Sequence, residues 1–289
     1  TGSSTLFLKT HARESLAGRI LETTMHPLNF GEFLRIQYGI TQSTPDQRKD
    51  KFWEYLAGGE FPYLSKLLTW SDKKEYVLQW VIGKIIQSDL PKLTRIVHPE
   101  NITALMNVFI EGSGQLVEMQ NLASDMGIAK DTLSSYVSLC EQAHLIGTMY
   151  NKGIGYRTRS VRQRKIYVRS VNAAVLKQGD SVYADAIQLR AGQIIETFVY
   201  NHLLRQGKEL YFFRQRQSRE VDFLQETDKG ILPTEVKYTN SLKRKDLNNI
   251  LYYCKKEHVS TCQIITKHDV RTEIIDGITV HFIPACDLL

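Results

Sequence analysis

Two short runs in the C-terminal third contain the residue types that phosphodiester hydrolysis requires: Arg219-Glu220-Val221-Asp222-Phe223-Leu224 and Pro233-Thr234-Glu235-Val236-Lys237. β-Branched and aromatic residues favour extended backbone in both, and Thr227-Asp228-Lys229-Gly230 between them predicts a hairpin turn. Successive side chains of a strand alternate faces, so Glu235 and Lys237 share one face while Val236 points to the other. If the neighbouring strand sets Asp222 beside them, two carboxylates and an ammonium converge. Carboxylate oxygens suit a hard ion such as Mg²⁺ or Mn²⁺. Such an ion acidifies a bound water and offsets charge developing on the phosphate. Lys237 would orient the attacking water or stabilise the crowded phosphorus centre. The same alternation also describes a strand with one solvated, charged face, and so short a spacing arises by chance. The surrounding elements have to decide between the two.

The D-x(n)-E-x-K spacing resembles the signature of the PD-(D/E)xK nuclease superfamily, which has the restriction-endonuclease-like fold. That resemblance implies a further carboxylate on the first helix of the domain. Glu196 suits this place: Ile195, Phe198, Val199 and Leu203 recur at helical spacing, and Glu196 borders their stripe. The resemblance therefore implies a catalytic set of Glu196, Asp222, Glu235 and Lys237, with Glu196, Asp222 and Glu235 as metal ligands. Beyond it, Asn240-Ser241-Leu242 predicts a helix start with Ser241 as cap and Leu247, Ile250 and Leu251 facing inward. Gln263–Thr266 and Thr279–Ile283 predict closing strands. Arg214 and Arg216, ahead of the Asp222 strand, would either steer a phosphate or serve as ordinary edge-strand charges.

The beginning of the chain, Thr1-Gly2-Ser3-Ser4, then Ser15-Leu16-Ala17-Gly18-Arg19, then Pro27-Leu28-Asn29-Phe30-Gly31-Glu32-Phe33-Leu34, resembles an internal stretch of a family of bacterial and archaeal AAA+-type ATPases. In that family a strand ends in T-G-S-S, a helix carries S-L-A-G-R, and a P-L-S-F-x-E-F-L segment follows; Asn29 replaces the usual serine. The resemblance implies that Ser3 and Ser4 lie near a nucleotide γ-phosphate and that Arg19 faces the nucleotide, whereas local sequence allows Arg19 to be a surface arginine. No G-x-x-x-x-G-K-S/T loop occurs. ATP is therefore expected only in a full-length protein whose missing Walker motifs are supplied. The C-terminal matches belong to the same ATPases, whose last domain is of unknown function and similar to PD-(D/E)xK nucleases.

Between these ends, apolar residues from Phe52 to Ile86 recur at helical spacing and are punctuated by Gly58-Gly59 and Phe61-Pro62. Residues 101–170 carry the pattern of a winged helix: one helix through Phe109, a second near Met119–Met126, a turn at Gly127, and a third opening at Lys130. Lys130, Thr132, Ser134 and Ser135 would then face a DNA groove. The cations Arg157, Arg159, Arg162, Arg164 and Lys165 would line a wing that contacts phosphates, or form a solvated hairpin tip. The resembled family continues after this wing with tyrosine and aspartate, but here Ser170 stands in the second place.

A net charge of +6 with a pI near 9.0 favours an anionic partner, with DNA the first expectation. The four cysteines lack zinc-ligand spacing and are expected as buried thiols. No run approaches the roughly 20 apolar residues of a membrane helix, and no signal-type start is present, so a cytoplasmic location and no membrane partner are expected. The fold class expected is multidomain α+β: a helical connector and winged helix followed by a restriction-endonuclease-like α/β domain with a mixed sheet. The divisions are an ATPase remnant over 1–46, connector over 47–99, winged helix over 100–170 and nuclease-like domain over 180–289. The expected partners are DNA, with either the missing ATPase half or further copies of the chain. The expected function is DNA binding with metal-dependent phosphodiester cleavage. The alternative is a non-catalytic DNA-binding or protein-interaction arm of a nucleotide-regulated ATPase.

Overall fold

The computed structural model describes residues 23–93, 98–152, 164–215 and 219–289. Helix α1 (Phe30–Tyr38) begins at a reciprocal cap: Asn29 Oδ1 accepts from Glu32 N at 2.6 Å, and Glu32 Oε2 accepts from Asn29 N at 2.7 Å. Asparagine caps a helix as well as serine does, so the Asn29 departure costs the helix nothing. Gly39, at φ 67°, ends it. Helix α2 (Pro45–Gly58) starts with the same device from Thr44 and Gln47, with proline at its first turn. Then come α3 (Trp70–Glu75), π-helical stretches at Tyr76–Gly83 and Ile85–Asp89, and α4 (Leu90–Leu93).

The next unit is α5 (Pro99–Glu111), β1 (Leu116–Val117), α6 (Met119–Asp125), α7 (Lys130–Gln142), β2 (Ile146–Asn151) and β3 (Arg164–Val168). Gly127, at φ 65°, makes the turn between α6 and α7 that its sequence predicts. Then α8 (Val171–Gln178), α9 (Asp185–Leu189) and α10 (Ala191–Leu204) lead into β4 (Leu210–Gln215), β5 (Arg219–Thr227) and β6 (Gly230–Lys237). Helix α11 (Asn248–Lys256) is followed by β7 (Thr261–Thr266), β8 (Arg271–Ile275) and β9 (Ile278–Pro284). The helix expected at Asn240 starts later because Asp246 Oδ2 accepts from Lys243 N at 2.8 Å, which tightens Arg244–Leu247 into a 3₁₀ turn.

The architecture is mixed α/β. Among the described residues the strands form one nine-stranded mixed sheet in the order β1-β3-β2-β4-β5-β6-β7-β9-β8. β2 and β4 pair in parallel through Tyr150↔Tyr211 and Asn151↔Phe212, so the β2/β3 hairpin and the later strands belong to one sheet. Three apolar clusters fill its faces. One lies under α5 to α7 with Ile166 and Val168, one lies around α2 and α10 with Tyr167, and one lies under α11.

A buried carboxylate ties the N-terminal helices to this sheet. Glu60, 4% exposed, accepts from Ser170 Oγ at 2.5 Å, Asn172 N at 2.9 Å and Val171 N at 3.0 Å, which satisfies the first turn of α8. Asn172 answers by donating to the carbonyls of Tyr55 and Leu56 at 2.9 and 2.8 Å. Serine suits position 170 because its hydroxyl donates to Glu60, where an aspartate would bring a second negative charge. Glu60→Ala leaves two amides and a hydroxyl buried without an acceptor, and should cost about 2–4 kcal/mol in urea unfolding. A loss below about 0.5 kcal/mol would contradict this role.

Candidate functional site

The site forms where β5 and β6 part. Their antiparallel ladder runs from Thr227↔Gly230 to Phe223↔Thr234 and then stops. β6 turns there to run parallel with β7, from Thr234↔Gln263 to Lys237↔Thr266, while β5 keeps β4 as its partner through Phe213↔Val221. Side-chain carboxylates take over the amides that the ladder releases. Asp222 Oδ2 accepts from Val236 N at 2.9 Å, and Glu235 Oε2 accepts from Asp222 N at 3.3 Å. Each acid thus holds the backbone of the other's strand. Lys237 Nζ lies 2.6 Å from Glu235 Oε1, as expected for side chains two residues apart on one strand.

Glu196 reaches the same region from α10, with its side chain 20% exposed. Its Oε1 accepts from Tyr167 Oη at 2.6 Å and from Lys165 Nζ at 2.9 Å. Lys165 Nζ also lies 2.8 Å from Glu220 Oε1 and 3.6 Å from Asp222 Oδ1. Glu196 and Asp222 therefore converge on one ammonium ion, and Arg214 Nη1 closes the outer side at 3.1 Å from Glu220 Oε2. The oxygen donors suit a hard divalent cation chemically. In this arrangement, however, the point between Glu196 and Asp222 belongs to Lys165, and among the described residues no three His, Cys, Asp or Glu side chains are disposed to hold a metal together.

The sequence places Arg164 and Lys165 in an exposed basic stretch, and the structure corrects this. β3 lies between β1 and β2, covered on both faces, so every one of its residues is buried. Ile166 and Val168 enter one core, and the alternating Lys165 and Tyr167 turn together toward α10 and Glu196. The Arg164 guanidinium stacks at 5.4 Å from the Tyr150 ring centre. Lys165, Tyr167 and Glu220 are site residues that motif spacing does not reveal. The one local signal is the two-residue spacing of Lys165 and Tyr167, which puts them on a common strand face.

Helix α7 buries Leu133, Tyr136, Val137 and Cys140; Ser134 and Ser135 are exposed on its other side, and Lys130 and Thr132 are half-buried. Ser135 donates to the Asp131 carbonyl at 2.9 Å. Ser3, Ser4, Arg19, Arg157, Arg159, Arg162 and Arg216 lie outside the described residues.

Crowding sets the protonation of the site. Burial, with the neighbouring Asp222 charge, raises the Glu196 carboxyl to about 7 and the Glu235 carboxyl to about 8. Burial opposes the Lys165 charge, but Glu196, Asp222 and Glu220 outweigh it and hold the ammonium above its ordinary value. Lys237 is raised by the same contest, with Glu235 its main stabiliser.

The chain is similar to domains of unknown function and to uncharacterized proteins. Residues 191–286 match a domain of unknown function, DUF4143, which is found in C-terminal regions associated with AAA-type ATPases. Residues 49–175 match a second domain of unknown function, DUF8612. An uncharacterized protein of Methanocaldococcus jannaschii is 27% identical over 237 residues, which cover 78% of this chain and 51% of that protein. An uncharacterized protein of Haemophilus influenzae is 25% identical over 292 positions, which cover 98% of this chain and 68% of that protein. The chain thus spans about half the length of the first of these relatives and about two thirds of the second. No solved structure matches it. Among the described residues no helix is long and apolar enough to cross a membrane.

A carboxyl raised in the folded chain binds more protons there than in the unfolded chain, so it lowers stability as pH climbs from its ordinary value of 4.5 through its folded value of about 8. Glu235→Gln removes that contribution. The melting temperature of the variant relative to wild type should therefore rise between about pH 5 and pH 8. A difference that stays level across this range would contradict the assignment.

Proposed function

We propose that this chain is the C-terminal part of an AAA+-type ATPase, that it binds DNA, and that its carboxylate and lysine cluster is a phosphodiester-cleaving site. Two features of the fold support the reading. The order helix, strand, helix, helix and two strands over α5 to β3 suits a winged helix, with α7 as the element that meets a groove. The order α10-β4-β5-β6-α11-β7 suits the nuclease-like core.

The observation that carries the proposal is the interlock of Asp222 and Glu235 across the parted strands, with Lys237 on Glu235 and Glu196 nearby. Asp222, Glu235 and Glu196 would draw together on Mg²⁺ or Mn²⁺ only with Lys165 displaced from between them, and the ion would then supply Lewis-acid activation of water and phosphate. Glu235 orients the Lys237 ammonium, and Lys237, with its side chain 30% exposed, is open to a water or a phosphate oxygen. Asp222 and Glu235 keep the strand fork rigid, Asp222 accepting from the Val236 amide and Glu235 from the Asp222 amide. Nucleotide binding through Ser3, Ser4 and Arg19 belongs to the longer protein.

One observation favours a second reading, that of a non-catalytic arm: Lys165 neutralises the carboxylates from within and turns the cluster into a structural ion-pair network. Cleavage and binding assays separate the two. Lys237→Ala should reduce Mn²⁺-supported DNA cleavage by at least about 100-fold and leave DNA affinity within about two-fold. Unchanged cutting by the variant defeats the catalytic assignment. Salt-sensitive DNA binding by a wild-type chain that cuts nothing supports the arm.

A further inference from the structure

We infer that Lys165 is the site's built-in competitor for a divalent cation: the ion binds only by displacing its ammonium from between Glu196 and Asp222, and Glu220 retains the displaced group. This rests on reading Glu196, Asp222 and Glu235 as metal ligands.

The geometry makes the two cations exclusive. Lys165 Nζ stands 2.9 Å from Glu196 Oε1 and 3.6 Å from Asp222 Oδ1. A Mg²⁺ ion would sit about 2.1 Å from the same oxygens. It would then lie well inside the contact distance of an ammonium, with three positive charges in one small, buried volume. The lysine has no route to solvent in its present pose, since its side chain is 4% exposed and its strand is enclosed by β1 and β2. A buried ammonium without a counter-ion is strongly unfavourable, so Lys165 moves only where a carboxylate goes with it. Glu220 meets that need. It holds Lys165 at 2.8 Å, its side chain is 30% exposed, and its second oxygen is anchored by Arg214 at 3.1 Å. Of the three acids around the ammonium, Glu220 is the one with no part in the proposed metal set. The lysine can thus leave Glu196 and Asp222 and still keep a partner on the outer side.

The consequence is a conditional site. Metal affinity is reduced by the fraction of molecules in which Lys165 fills the gap. Lys165 lies on β3, at the end of the cationic run Arg157–Arg164, so any ligand that shifts β3 also shifts the competition.

Mn²⁺ titration followed by calorimetry or by electron paramagnetic resonance, on the full chain, tests the inference. Lys165→Met should bind Mn²⁺ at least ten-fold tighter than wild type, and adding Asp222→Asn to it should abolish the gain. If Lys165→Met binds no tighter while wild-type binding is lost in Asp222→Asn, the competition is overturned and the metal-site reading stands. If no variant binds Mn²⁺, both are overturned together. Because Lys165→Met leaves buried carboxylates short of a cation and risks misfolding, a wild-type measurement stands beside it: acetylation of Lys165 by acetic anhydride, read by mass spectrometry. Saturating Mg²⁺ should raise its labelling at least ten-fold. Unchanged labelling with Mg²⁺ bound, or no binding of Mg²⁺ at all, overturns the inference.

Discussion

A buried ammonium ion surrounded by acids constrains the C-terminal half of this chain. Lys165 can be buried only because Glu196, Asp222 and Glu220 are beside it, and those acids can stand so close only because a cation lies among them. The dependence is mutual and it is long-range: the lysine comes from β3, one acid from α10 and two from β5. The parallel pairing of β2 with β4 makes the meeting feasible, since it extends one sheet from the β2/β3 hairpin to the strands that carry the acids. The helical unit and the C-terminal unit therefore share both a backbone ladder and an electrostatic centre.

A second polar centre acts in a similar way closer to the N-terminal helices. Glu60 satisfies the first turn of α8, and Asn172 returns hydrogen bonds to the end of α2. Both centres place a carboxylate where buried donors converge, and both act between elements far apart in the chain. They differ in what they can exchange. Glu60 accepts from two backbone amides and the Ser170 hydroxyl, whereas the Lys165 cluster is held by side chains, one of which another cation can replace.

What is legible in the sequence follows the range of the forces. Caps, turns and periodic stripes are local, so α5, α6, α7 and α10 and strands β5, β6, β7 and β9 lie close to where the pattern predicts them. The sharing of a face by Glu235 and Lys237 follows directly from strand geometry. The helix expected at Asn240 starts at Asn248 because one side-chain acceptor, Asp246, competes with helical hydrogen bonding. The edge strand β8 is not among the expected elements, although Asp276-Gly277, with φ of 52° and 80°, is the turn pair that marks a two-residue hairpin. The role of Lys165 is not legible beyond the strand face that its spacing gives it in common with Tyr167. A lysine following a run of arginines has the composition of a solvated tip, and only the placement of β3 between two other strands takes it inside.

Diffraction from crystals soaked in Mn²⁺, with anomalous differences measured near the manganese absorption edge, addresses the competition at this centre directly. The predicted result is a manganese peak between the carboxylates of Glu196 and Asp222, with Lys165 withdrawn from Glu196 and still paired to Glu220. Lys165 unmoved at Glu196, with no manganese at that position, would contradict it.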